Sequence, residues 1–266
     1  MTISPEGIKA CCAAVYSGDA VELVLGQSYH PGGAALTRRL AEQLGLSDSG
    51  PSRRVADIAC GPGATARLLA GDYAVTVDGV DLSEDNLARA RAAAENAGLG
   101  QRVCFHHGDA ERLPLPDTTF DALFCECALC TFPDKRAVAG EFARILLPGG
   151  LVGITDVTVT DAGLPPELTT LTAWVACIAD ARTLSDYTRI LAEAGLRTRH
   201  SESHDDALLR MIDRIDARIT ALRIAAPDAL ADNGVQPDTV RAYTRLAREA
   251  VTAGRIGYTL IVAEKT

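Results

Sequence analysis

The sequence predicts an α/β fold, a parallel sheet doubly wound by helices, with a helical cap before it and a helical insertion ahead of its last strand. Three observations carry this. Strand and helix patterns alternate with short connections from Arg53 onward, which is how parallel sheets covered on both faces are built. A glycine-rich turn, "ACGPGATARLL", joins the first strand to the first core helix. The chain has 266 residues, of which 47% are hydrophobic and 23% charged, enough to bury a sizeable core in one domain carrying an insertion.

Each element follows from its own pattern. Residues 5–25 are apolar-periodic and lead through the loop "GQSYHPGG" into the amphipathic helix "AALTRRLAEQLGL". "DSGPSRR" is the loop before the core. Then come strand "RVADIA", helix "ATARLLAG", strand "AVTVDGVDL" and helix "EDNLARARAAAENAGL". Strands "VCFHHGD" and "FDALFCE", helix "KRAVAGEFARIL" and strand "GLVGITDV" complete the alternation. Two more helical patterns follow, "PPELTTLTAWVACIADA" and "TLSDYTRILAEAGL", the second opened by Thr183 as cap and closed by Gly195 just past its end. A strand at "RTRHSES", mainly helical pattern from Asp205 to Ala253, and the final strand "IGYTLIVAEK" end the chain. The expected units are a cap over 1–50, a core over 51–204, an insertion or lid over 205–255 and the last core strand over 256–266.

A formal charge of −9 and a pI near 5.1, with no basic stripe interleaved with aromatics, argue against nucleic acid as a partner. No apolar run approaches the ~20 residues that span a bilayer, and "MTISPEGIKACCAAVYSGD" lacks the blocks of a secretory signal. The expectation is a cytoplasmic protein whose eight cysteines are thiols or ligands rather than a disulfide framework. The composition leaves the oligomeric state open.

Sheets of this kind bind ligands beyond the C-terminal ends of their strands. There, Gly61 and Gly63 allow a tight turn and close approach of the backbone, and the helix that follows favours an anionic group. Asp81 ends the second strand, where a carboxylate can accept from two ribose hydroxyls, and Asp109 ends the third, where one can meet an adenine amino group. Taken singly, the turn could be a plain strand-to-helix connection and each acid a helix cap.

Together these motifs resemble the class I S-adenosylmethionine-dependent methyltransferases, over residues 53–157 at least. The "GDAERLPLPDTTFD" stretch fits that family better than the nicotinamide dehydrogenases. The resemblance implies a Rossmann-like seven-stranded sheet, mostly parallel with an antiparallel last strand, and S-adenosyl-L-methionine as cofactor. It places Asp57, Gly61 and Gly63 at the methionine end, Asp81 and Leu82 at the ribose, and Asp109 and Ala110 at the adenine. Tyr29, from the N-terminal segment, would help to close the pocket. The first small position of the glycine motif is Ala59 here, which family members tolerate.

The cysteines point to the acceptor. "FCECALCTFPDK" crowds Cys125, Cys127 and Cys130 at the end of the fourth strand, where the transferable methyl group would lie. "ECALCTFPDKRAVAGEFARILLPGG" resembles a segment of the arsenite methyltransferases, putting Cys127 on that family's metalloid-binding cysteine. "WVACIADARTLSDYTRILAEAGL" resembles a second such segment, with Cys177 on the partner cysteine, and "ACCAAVY" offers Cys11 and Cys12 for the N-terminal pair. The chain departs from that family in Glu126, which replaces an asparagine, in the absence of a cysteine from "GQSYHPGG", and in the insertion at 205–253.

The chemistry is coherent: trivalent arsenic is a soft centre that prefers thiolates. Its lone pair can attack a sulfonium methyl, so catalysis becomes orientation and exclusion of water without an obligatory base. The resemblance therefore implies Cys127 and Cys177 as ligands, completed by Cys12 or Cys11, with thioredoxin or glutathione as reducing thiol. Two other readings stand beside it. One is a small-molecule C-, N- or O-methyltransferase with structural cysteines, for which His30, Tyr29, Glu126 and His107 are the candidate acids and bases. The other is a non-catalytic metalloid- or zinc-binding protein on the same scaffold, in which Cys104 or His107 would have to complete a zinc set with Cys125, Cys127 and Cys130.

Overall fold

The computed structural model describes residues 4–26, 29–47, 53–164, 166–169, 178 and 180–266. The seven stretches of strand pattern form one sheet: β1 Arg53–Ile58, β2 Val75–Asp81, β3 Val103–His107, β4 Phe120–Glu126, β5 Leu146–Val159, β6 Leu196–Ser203 and β7 Ile256–Lys265. Their order is β3-β2-β1-β4-β5-β7-β6, parallel from β3 to β5, with β7 antiparallel to both its neighbours. The order turns back between β1 and β4, so the crevice for a ligand lies beyond the ends of these two strands.

Helices cover both faces. One face packs α3 (Gly33–Gln43), α4 (Ala64–Asp72) and α5 (Glu84–Asn96), with Leu40, Leu69 and Leu87 fully buried. The other packs α6 (Lys135–Ile145) and α7 (Leu184–Glu193) through Val138, Phe142 and Leu191. Along β4, Ala122 and Phe124 enter the first core and Leu123 and Cys125 the second, as the two-residue period of a doubly covered strand requires. Ser83 caps α5, Asp134 caps α6, and Thr183 caps α7, which ends before Gly195 at φ +81°.

The N-terminal segment is two helices, α1 (Pro5–Tyr16) and α2 (Asp19–Leu25), and neither has a fully buried residue. The late helical stretch is α8 (Asp205–Ala225), α9 (Pro227–Asp232) and α10 (Pro237–Thr252). Its breaks fall where prolines occupy first helical positions: Ala226, preceding Pro227, is driven out of the helical region to φ −151° and ψ 58°.

One boundary differs from the sequence expectation, and one expected helix falls largely outside the described residues. Leu146 belongs to β5 rather than to α6, and β5 takes in the "LPGG" stretch, with a register shift against β4 between Phe120 and Ala122. Within "PPELTTLTAWVACIADA" the described residues show one 3-10 turn, Pro166–Thr169, and Cys177 lies outside them. No helix among the described residues is long and apolar enough to cross a membrane.

A small residue sets the depth of α3. A Cβ at Gly153 on β5 would stand 2.7 Å from Leu40 Cδ1 and 2.9 Å from Leu44 Cδ1, so the helix sits where only glycine leaves room. Gly153→Ala should lose about 1–3 kcal/mol, read from denaturant midpoints at unchanged m-value, by overpacking this contact.

The same helix is tied to β6 by charge. Arg39 donates from Nε and Nη2 to Glu202 at 3.0 Å each, and His204 and His200 approach the same carboxylate at 2.9 and 3.1 Å. Chiefly through Arg39, the Glu202 pKa falls from 4.5 to about 2. A depressed carboxyl stabilises the fold above its unfolded value and loses that contribution as pH falls through its folded value. Stability should therefore decline between about pH 4.5 and 2 in a step that Glu202→Gln removes, measured by urea denaturation across that range.

Candidate cofactor and acceptor site

The turn after β1 is wound tightly: Ala59, Gly61 and Gly63 all have positive φ, at 59°, 52° and 74°. Gly61 N donates to Asp81 Oδ2 at 2.8 Å and Ser83 N to Asp81 Oδ1 at 2.8 Å, so the acid ending β2 also pins the glycine loop. The two glycines do different work. No atom comes within 4 Å of a Cβ built on Gly61, which lines the cavity. A Cβ on Gly63 would meet Phe105 Cζ at 2.7 Å and Ala90 Cβ at 3.0 Å. Gly63 is a packing glycine that lets α4 approach β3 and α5, and it is not among the lining residues that the sequence reading made it.

The cavity beyond β1 and β4 is lined by Asp57, Gly61, Asp81, Leu82, Asp109 and Ala110, so the acids expected at the ends of three strands do share one space. Asp57 is 3% exposed, and its Oδ2 has no hydrogen-bond partner among the described residues. Burial, then the nearby Glu126 carboxylate, push its pKa well above the ordinary range against the pull of the Ala66 N–H. A ligand carrying an ammonium group satisfies that oxygen and suits the excess of carboxylates, so the residues present fit S-adenosylmethionine. Burial also raises the Asp81 carboxyl, with the N–H groups of Ser83 and Gly61 opposing.

Helix α1 closes the cavity from above. Lys9 reaches 2.8 Å to Asp109 Oδ2 and also bonds Glu111, across about a hundred residues of sequence. Burial works to raise the Asp109 carboxyl, yet the Lys9 ammonium outweighs it and holds the group below its usual value. Cys12, Tyr16 and Tyr29 line the same wall, and burial raises the Tyr29 phenol. Nothing in the sequence marks Lys9, because its partners lie on another element.

At the inner end, Glu126 is 5% exposed and accepts from Thr65 Oγ1 at 2.6 Å and from Thr37 Oγ1 at 3.1 and 3.2 Å. His30 Nε2 stands 3.7 Å from its Oε2. Thr65 opens α4 and Thr37 lies on α3, the helix seated against Gly153. Neither threonine has a sequence signal of its own. Cys127 follows at φ 54°, a strained value for a residue with a side chain, and its N–H donates to Thr155 O at 2.6 Å.

The crowded cysteines part around that left-handed residue, with Cys125 already placed by the strand period of β4. Cys127 lines the cavity, and so does Cys12 from α1. Cys125 is fully buried in the second core, where burial drives its thiol well up, and Cys130 is buried in the first. Cys11 is half-buried on α1 and does not line the cavity. Cys60, which the sequence reading passed over in the glycine loop, does line it, as a buried thiol raised by burial. Among the described residues Cys125, Cys127 and Cys130 do not gather as one set of ligand atoms, so the zinc alternative built on them does not form there. His107 is exposed and donates from Nε2 to Leu82 O at 3.1 Å.

If Asp57 pairs with the ammonium of the cofactor, binding requires its ionised form. The affinity for S-adenosylhomocysteine should therefore rise as pH increases through the elevated Asp57 pKa, and Asp57→Asn should weaken binding at least ~10-fold while removing that slope, both read by calorimetry over a pH series.

Comparison with known proteins agrees with this geometry. Residues 56–154 match the family described as a methyltransferase domain. The 27-O-demethylrifamycin SV methyltransferase of Amycolatopsis mediterranei is 34% identical over 169 residues, 63% of this chain and 61% of that protein. An uncharacterized protein of Haemophilus influenzae is 31% identical over 182 residues, 67% of this chain and 71% of that one. The chain spans about three fifths of the length of the first curated methyltransferases it matches. Phosphoethanolamine N-methyltransferase 2 of Haemonchus contortus, solved with phosphomonomethylethanolamine and S-adenosylhomocysteine, shares the fold at a TM-score of 0.81 and 20% identity, over 99% of this chain and 60% of that one. With its family match, its relatives and its strand order, the chain belongs to the class I S-adenosylmethionine-dependent methyltransferases.

Proposed function

We propose that the protein methylates a soft, thiophilic small acceptor, with thiol-bound trivalent arsenic as the leading case. The observation that carries this reading is that Cys12, from the covering helix, and Cys127, from the strained end of β4, line one cavity with the cofactor acids. S-adenosylmethionine supplies an electrophilic methyl on a sulfonium centre. The chain's part is to hold the ammonium at Asp57, the ribose at Asp81 and Leu82, and the adenine at Asp109 and Ala110. Each thiol that ligates arsenic gives its proton to a departing hydroxyl, which leaves as water, and an As–S bond replaces the As–O bond. Cys177 is the proposed third ligand. The bound cofactor would supply its methyl to the arsenic lone pair, leaving as the neutral thioether, a transfer that would oxidise arsenic by two electrons. A thiol pair, restored by thioredoxin or glutathione, returns the product to the trivalent state. Such a reducing supply fits a cytoplasmic placement.

A second reading rests on a specific contact. Glu126 and His30, 3.7 Å apart on the cavity wall, could take the proton from a hydroxyl acceptor, and one relative, that of Pyrenophora dematioidea, is named an O-methyltransferase. In this reading the thiols only shape the cavity.

The two readings separate in one experiment. Reduced protein with arsenite, S-adenosylmethionine and glutathione should yield methylarsenicals by mass spectrometry, and Cys127→Ser, Cys12→Ser and Cys177→Ser should each lower the yield at least ~10-fold, whereas Glu126→Gln should not. Cofactor binding without methylated arsenic, together with turnover of a hydroxylated acceptor that fails in Glu126→Gln, would overturn the arsenic reading and establish the other.

A further inference from the structure

Outside the cavity one cluster combines three chelating side chains of different type. Asp78 on β2 pairs in register with Cys104 on β3, and His106 follows two residues on, so all three project from the same sheet face at the β3 edge. Asp78 Oδ1 lies 2.7 Å from His106 Nε2, and the carboxylate, imidazole and thiol ligand atoms all lie within 4.8 Å of one another. This is the face opposite α4 and α5, and the chain passes from β3 to β4 through residues 108–119 without a helix, so the cluster opens to solvent. An ion pair alone accounts for Asp78, Arg54 and His106. It does not account for Cys104, an exposed thiol at an edge position where cysteine is uncommon.

We propose that Asp78, Cys104 and His106 form a binding site for a thiophilic divalent cation of the zinc class, with a fourth position open to water. The ligand set is the mixed sulfur, nitrogen and oxygen donor group that zinc accepts, and three protein ligands with one open position is the pattern of exchangeable rather than closed structural sites. Thiolate and carboxylate together match the charge of the ion, and the thiol proton is released on binding. Arg54 Nε holds Asp78 Oδ2 at 2.9 Å and leaves Oδ1 for the metal, the orienting role that outer partners of ligating carboxylates play. Tetrahedral coordination needs sulfur and nitrogen about 3.5 Å apart, which side-chain rotation on an exposed edge can supply. The site does not depend on the identity of the methyl acceptor.

Cobalt(II) chloride added to the reduced, metal-stripped protein tests this through its thiolate-to-cobalt charge-transfer absorbance. One equivalent should develop the band, zinc chloride should displace it, and it should persist in the Cys12→Ser, Cys127→Ser double variant. Cys104→Ser should abolish it, and His106→Ala should weaken cobalt binding at least ~10-fold. Both exposed-site variants should keep the wild-type melting temperature and S-adenosylhomocysteine affinity, showing that the fold is intact. No band in the wild type, or a band that survives Cys104→Ser, would overturn the proposal.

Discussion

Two carboxylates end adjacent parallel strands inside one cavity, and much of the surrounding structure is arranged to make that tolerable. Asp57 closes toward the glycine loop and Glu126 toward the covering segments, and burial, then the nearby Glu126 carboxylate, raise the cost of ionising Asp57. Glu126 is held by hydroxyls from two helices, Thr65 at the start of α4 and Thr37 on α3. Asp57 keeps one oxygen without a partner among the described residues. The imbalance is a statement about ligands: the site is built for a cation, and the sulfonium and ammonium of the cofactor are two of them.

Seen from those acids, distant features acquire a reason. Gly153 matters because it lets α3 sink against β5, and α3 carries Thr37 to Glu126. Arg39, on the same helix, anchors it to Glu202 at the far side of the sheet. The sheet supplies strand ends, while the helices supply the hydroxyls that bond Glu126 there.

The sheet itself was legible in the sequence because parallel strands buried on both faces leave near-continuous apolar runs separated by turn residues. Asp81 and Asp109 were expected near one another because strand ends in such a sheet share one edge, and Asp57 because of the family resemblance; all three line one cavity. What escaped was everything set by a single dihedral or by distance along the chain. Cys125, Cys127 and Cys130 crowd one stretch of sequence, yet the strand period puts Cys125 in one core while Cys130 lies in the other and Cys127, at its left-handed φ, lines the cavity. Gly63 read as a ligand glycine by analogy with Gly61, and only the position of Phe105 reveals it as a packing one. Lys9, Thr37 and Thr65 bear on the site through partners many residues away, which no local pattern records.

The covering helix α1 is held differently from the rest of the molecule. It buries no residue completely, and its Lys9 bridges Asp109 and Glu111, the second of which also accepts from the N–H of Asp134 at the cap of α6. A lid fastened by charge rather than by apolar area opens without breaking the core, and its fastening weakens as dissolved ions screen it. Dissolved ions therefore act on the cover of the cavity more directly than on the sheet's buried apolar core.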